Sequence, residues 1–142
     1  MMSETFANLF TIDVLLAWLA AIFGGMFVGA LPGFSATMAI ALLIPVTFGM
    51  DATPALVMLA TIYTTATYGG SFTAILLHTP GTPSNVATAQ DGYELTKQGR
   101  GLEAIGMSTI SSAFGGLFGG IALLLIAPPL AMIALKFSSP EY

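Results

Sequence analysis

Residues 68–85 read YGGSFTAILLHTPGTPSN, and in this stretch glycine, hydroxyl and proline stand where an ordinary membrane helix would simply continue. Gly69, Gly70 and Ser71 interrupt the apolar pattern. Residues 72–77 then supply only a couple of helical turns before Thr79-Pro80-Gly81-Thr82-Pro83 breaks the chain again. An apolar half-helix between two breaks predicts a re-entrant hairpin over residues 71–83. An unpaired backbone group at membrane depth costs several kcal/mol, so such a break must be buried in protein or must face water or a ligand. The same residues also fit an ordinary turn outside the membrane.

The surrounding chain settles which solvent these residues meet. Of its 142 residues 56% are apolar and 7% charged, with seven acids against three bases, and its mean hydropathy is +0.89. A water-soluble fold clothes its surface in charge, so most side chains here must face lipid or one another. The predicted class is an all-α, polytopic transmembrane protein with short and broken helices. The net charge of −4 belongs to loops and offers no basic patch for nucleic acid.

Without cysteine there is no thiolate metal site or disulfide framework. One histidine excludes histidine-pair zinc motifs, and no glycine-rich loop leads into the Lys-Ser or Lys-Thr of a phosphate cradle. No cofactor is expected, and transport would draw on an ion gradient or a separate subunit. The N-terminus lacks a positive region and carries Glu4 and Asp13, so it reads as a retained helix rather than a cleaved signal.

Outward from the broken stretch, residues 12–31 form an apolar run long enough to span, ended by Pro32 and Gly33. Residues 34–48 make a shorter apolar helix with Pro45 inside it and Gly49 suited to a cap. Thr53 followed by Pro54 suggests the start of a third helix, over residues 53–68. Residues 84–101 are the one polar stretch, placed outside the membrane as a loop with Asp91-Gly92 as a turn. Its Lys97 and Arg100 point weakly to the cytoplasmic side. Residues 102–126 form a last long span, stopped at Ala127-Pro128-Pro129, with an interfacial tail reaching Phe137.

The candidate site follows from the break. Thr82 and Pro83 fit the cap and first position of a helix whose N–H groups at Ser84, Asn85 and Val86 would face the broken region. A carboxylate there would be held by those groups, by the hydroxyls of Ser71, Thr73, Thr79 and Thr82, and beside the bare backbone of Gly81. Pro32, Gly33, Gly69, Gly70, Pro80 and Pro83 are the expected helix breaks, and freed carbonyls could hold a coupling cation. His78 is the candidate proton or ion relay, although a lone histidine at the end of an apolar run also fits an interfacial role. Small residues recur every fourth position at Ala17, Ala21, Gly25 and Gly29, and at Ser108, Ser112, Gly116 and Gly120. Such rows let helices pack closely, and alternatively line a sliding or substrate-lining face.

Residues 29–56, 68–100 and 127–142 together resemble the large membrane subunit of tripartite tricarboxylate transporters, TctA type. The most specific parts are Tyr68-Gly69-Gly70-Ser71, residues 74–77 and 79–83, and Asp91-Gly92-Tyr93. The sequence departs from the family pattern at Ser35, Thr64, Thr65, Ser139 and His78, the last where asparagine is expected. The resemblance implies a bacterial inner-membrane secondary transporter for citrate-like or other small carboxylates, driven by sodium or protons. It also implies two partners, a small membrane subunit and a periplasmic solute-binding receptor. Family members continue past the last residues here, so residues 1–142 are expected to be the N-terminal part of one transporter domain. Two rivals stand beside this reading: a structural membrane subunit with no solute site, and an intramembrane serine hydrolase using Ser71 with His78.

Overall fold

The computed structural model describes residues 9–134, which fall into two compact units meeting between Gly106 and Met107. Among the described residues all regular structure is helical: α1 (Ile12–Gly29), α2 (Ala36–Thr47), α3 (Ala52–Leu77), a 3-10 turn (Pro83–Asn85), α4 (Val86–Lys97) and α5 (Gly101–Ala134). Helices α1 and α5 are long and apolar enough to cross a membrane. The fold is that of a helical membrane protein, as the composition requires. Glu4, the tail beyond Ala134 with Lys136 and Phe137, and Ser139 lie outside the described residues.

Helix α1 ends where the sequence demands. Residues 31–34 close a turn with the Phe34 N–H donating to the Leu31 carbonyl at 3.2 Å, and Gly33 sits at φ 90°. Proline second and glycine third are the residues a type II turn requires, because only glycine takes that φ without strain. Helix α2 then starts on Ser35, whose hydroxyl accepts from the Met38 N–H at 3.2 Å. Its 12 residues rise only about 18 Å, too short to cross a bilayer alone.

Helix α3 departs most from the expected pattern. It begins after Asp51 rather than Thr53, leaving Pro54 in the first turn where a missing N–H costs nothing. It then runs unbroken through Gly69, Gly70 and Ser71 to Leu77, 26 residues or about 39 Å. The expected break at Gly69-Gly70 is absent, and the reversal comes later, at His78. These glycines serve close approach instead. A Cβ on Gly69 would lie 2.6 Å from the Met26 carbonyl oxygen, and one on Gly70 2.6 Å from Asn85 Nδ2.

Helices α1 and α3 lie side by side in the same direction. Asp13 and Pro54 line the same cavity at one end, and Gly29 meets Ala66 toward the other. The buried face of α1 is Val14, Ala17, Ala21, Gly25 and Gly29, so the first small-residue row packs against α3. Ala21, Ala36, Ala39, Ile62 and Ala66 form the core among α1, α2 and α3. The second row behaves differently: Ser112, Gly116 and Gly120 are exposed, and a Cβ on either glycine would meet nothing within 4 Å.

The polar stretch is helical rather than a loop. Ala89 and Gly92 form the buried face of α4, and a Cβ on Gly92 would press to 2.7 Å from Ile75 Cγ1. Asp91-Gly92 is therefore a packing position, not a turn. The turn falls at Gly99, φ 77°, where the Gly99 N–H reaches the Thr96 carbonyl and the Arg100 N–H the Leu95 carbonyl. That pair of bonds is a Schellman cap. Ion pairs Lys97–Glu94 and Arg100–Glu103 are exposed, where such pairs contribute little stability.

Helix α5 also outruns its expected end, continuing through Pro128 and Pro129 to Ala134. Proline keeps helical φ, but it withholds its donor and its ring crowds the preceding turn, so the Leu124 and Leu125 carbonyls lose their ladder bonds.

Candidate functional site

Residues 78–85 form a strap that leaves the end of α3 and folds back against the body. His78 starts it in the left-handed region, φ 57°. The Thr79 N–H donates to the Thr73 carbonyl at 3.3 Å, which turns the chain back on the last turn of α3. Three glycines then meet. A Cβ on Gly81 would stand 2.6 Å from the Gly29 carbonyl oxygen and 2.9 Å from Gly70 Cα, so the strap enters a crevice that only bare backbone fits. Gly81, Thr82 and Asn85 are buried, although Thr82 and Asn85 are polar.

Asn85 ties the strap to α3. Its Nδ2 donates to the Thr67 carbonyl at 2.9 Å, a long-range polar tie, whereas the side-chain bonds of Thr79, Thr82 and Ser84 are local. Thr96 on α4 adds a second tie by donating to the Ile75 carbonyl at 2.8 Å. Ile75 is among the last four residues of α3, so α4 satisfies a carbonyl that the helix end leaves open.

The expected carboxylate donors are brought into one neighbourhood, but most of their hydrogens are already committed. The Ser71 hydroxyl donates to the Tyr68 carbonyl at 2.6 Å and Thr73 to the Gly70 carbonyl at 3.2 Å, both within α3. Thr79 donates to the Leu77 carbonyl at 2.9 Å. The Thr82 and Ser84 hydroxyls bond each other at 2.8 Å. The Thr82 side chain does not cap the helix start, and the Asn85 and Val86 N–H groups close onto the Thr82 and Pro83 carbonyls. The helix start read from Thr82-Pro83 exists, yet 3-10 bonding spends two of its three expected free N–H groups. Among the described residues no buried side-chain nitrogen or oxygen lacks a partner.

His78 lies against α4. Its ring stacks on Tyr93 with centroids 4.7 Å apart, and its Nδ1 is 3.2 Å from the Ala89 carbonyl. Ser71 and His78 thus have different partners and do not form a nucleophile–base pair. The left-handed backbone gives His78 a structural duty that sequence reasoning missed; the asparagine expected at this position from the resemblance was the available signal, since asparagine tolerates that region. His78→Asn is expected within about 0.5 kcal/mol of the parent in thermal unfolding, and His78→Val about 1–2 kcal/mol less stable. Equal stability of the two would contradict the left-handed assignment.

At the opposite end of α1, Asp13 and Asp51 line a cavity of about 440 Å³ with Leu16, Ala17, Met50 and Met58, and a second of about 280 Å³ with Thr11 and Thr53. Neither acid was among the candidate site residues read from the sequence.

Known proteins place this arrangement. No solved structure matches the chain. A protein of Agrobacterium vitis described as an uncharacterized 52.8 kDa protein in the TAR-I ttuC' 3' region is 46% identical over 118 residues, 83% of this chain and 24% of that protein. The chain therefore spans about a quarter of that relative's length. The profile of one transporter family matches residues 15–142, across the paired glycines, the strap and α4. On that match, the chain belongs to the tripartite tricarboxylate transporter TctA family.

Proposed function

We propose that this chain is part of the membrane permease of a cation-driven secondary transporter for citrate-like or other small carboxylates. In this reading it sits in the bacterial inner membrane as a multi-pass component. A periplasmic receptor delivers the solute, and a small membrane subunit completes the assembly. The observation that carries the reading is the strap of residues 78–85, a break between α3 and α4 whose regular structure is a single 3-10 turn, seated against Gly29 and Gly70 in a chain this apolar. Broken segments of this kind line the solute and ion sites of secondary transporters, where half-helix ends and unwound carbonyls do the binding.

Within that reading Ser71, Thr73, Thr79, Gly81, Thr82, Ser84 and Asn85 form one wall of the solute path. Alternating access moves the strap and α4 against α1 and α3. Ser71→Ala and Thr82→Ala, each in the full-length protein with its receptor and small subunit, are expected to lower citrate uptake about threefold or more while membrane insertion stays intact. Unchanged uptake kinetics in both would remove these residues from the path.

A scaffold without a solute site is the second reading, favoured by the small-residue face of α1 being consumed in packing. Purified full-length protein separates the two, since a scaffold gains no thermal stability from citrate.

A further inference from the structure

The cavity of about 440 Å³ at the start of α1 is graded in polarity along the helices that build it. Asp13 and Asp51, both exposed, line the end where α1 and α3 begin. Farther along, Leu16, Ala20 and Met58 make apolar walls. Ala20 lies seven positions beyond Asp13, and Met58 seven beyond Asp51, which is about 10 Å of helix rise. Helix α1 is long and apolar enough to cross a membrane, which puts Asp13 at the surface and Ala20 at the depth of the acyl chains. The chamber of about 280 Å³ at the same end shares both acids and adds Thr53.

The charges at this end have no complement in the chain around them. Asp51 occupies the N-cap of α3 without making a capping hydrogen bond, and among the described residues neither acid has an ion pair. No lysine or arginine precedes Lys97 in the sequence, and Lys97 and Arg100 are paired with Glu94 and Glu103. The dipoles of two parallel helices account for acids at their shared N-terminal end, but not for an apolar groove that opens beside those acids. Two carboxylates repel a carboxylate solute, so this cavity lies off the path that the strap lines.

We propose that this groove holds a membrane lipid with a primary ammonium head, of the phosphatidylethanolamine class. The ammonium sits between Asp13 and Asp51, and one acyl chain runs along Leu16, Ala20 and Met58. Charge complementarity selects the head, since an ammonium offers three donors to the two carboxylates and a choline head offers none. The unmade cap also leaves the Ala52 and Thr53 N–H groups without a partner among the described residues, open to the lipid's phosphate. The apolar walls select the tail. A lysine from a partner protein would match the acids, but its four-carbon stem ends short of Ala20 and Met58, whereas an acyl chain continues past them. The inference rests on α1 crossing the membrane and is independent of the transport reading.

In purified, delipidated full-length protein, phosphatidylethanolamine is expected to raise the unfolding temperature at a mole fraction at least about fivefold below that required of phosphatidylcholine with the same chains. Asp13→Asn combined with Asp51→Asn should abolish this preference. Ala20→Phe, which fills the groove from an exposed position, should raise the half-effect mole fraction of phosphatidylethanolamine about tenfold. Equal action of the two lipids on the parent, or a preference that survives loss of both acids, overturns the head site. An unshifted Ala20→Phe overturns the groove. Where Ala20→Phe does not fold, Thr53→Cys in a background otherwise free of cysteine reads the same place: phosphatidylethanolamine should slow its labelling by a hydrophilic maleimide, and phosphatidylcholine should not. Protection of that cysteine by the small membrane subunit, with none from phosphatidylethanolamine, would make the acids a protein interface and overturn the lipid site.

Discussion

Gly29→Ala in the full-length protein is expected to lose about 3 kcal/mol of stability, although it adds a single methyl group. That methyl would stand 2.0 Å from the Ala66 carbonyl oxygen and 2.7 Å from Ala66 Cα, both backbone atoms that no rotamer change can withdraw. The helices α1 and α3 would have to part. Gly24→Ala, in the same helix, meets nothing within 4 Å and should instead gain about 0.5–1 kcal/mol from better helix propensity. Gly25 is intermediate: the close atom is Thr65 Oγ1, a side chain that can turn but would give up its bond to the Ala21 carbonyl. Thermal unfolding of the purified variants in detergent gives the order. Equal midpoints for Gly29→Ala and Gly24→Ala would refute the parallel α1–α3 contact.

The second large effect is expected at Gly81. Its methyl would fall 2.6 Å from Gly29 O and 2.9 Å from Gly70 Cα, so the strap cannot stay in its crevice. An opening cost reduced by about 1–3 kcal/mol should raise the reactivity of a cysteine at residue 82 about fivefold or more. Thr82 is a suitable reporter because it is only 6% exposed, and the chain brings no cysteine of its own. Labelling of Thr82→Cys by a hydrophilic maleimide, with and without Gly81→Ala, reads the seat of the strap. Citrate uptake should fall by at least about tenfold in Gly81→Ala. A labelling rate indifferent to Gly81→Ala would show that the crevice does not hold the strap.

The helical class, the first turn and the start of the 3-10 segment could be read from residue types, because Pro32-Gly33 and Thr82-Pro83 each have a mechanism tied to local geometry. Tertiary contact reversed the other glycine assignments. Gly69, Gly70 and Gly92 look like breaks in one dimension, but each lies where another element comes too close for a side chain. Nothing local distinguishes a glycine that frees the backbone from one that makes room for a neighbour. The hydroxyl residues pose the same problem. Their positions predict a polar wall, but whether each hydrogen is free depends on nearby carbonyls, and for Ser71, Thr73 and Thr79 it is not. Asn85 stood among the site candidates, but the direction of its amide is set by Thr67, 18 positions earlier.

The core of Ala21, Ala36, Ala39 and Ala66 around one isoleucine has a practical consequence for mutagenesis. An alanine scan removes side-chain atoms, and at these four positions there is nothing for it to remove. Four of the five buried residues that hold the first three helices together would therefore register as silent in such a survey, Ile62 being the exception. Enlargement, one methyl or one methylene at a time, is the perturbation to which it should respond.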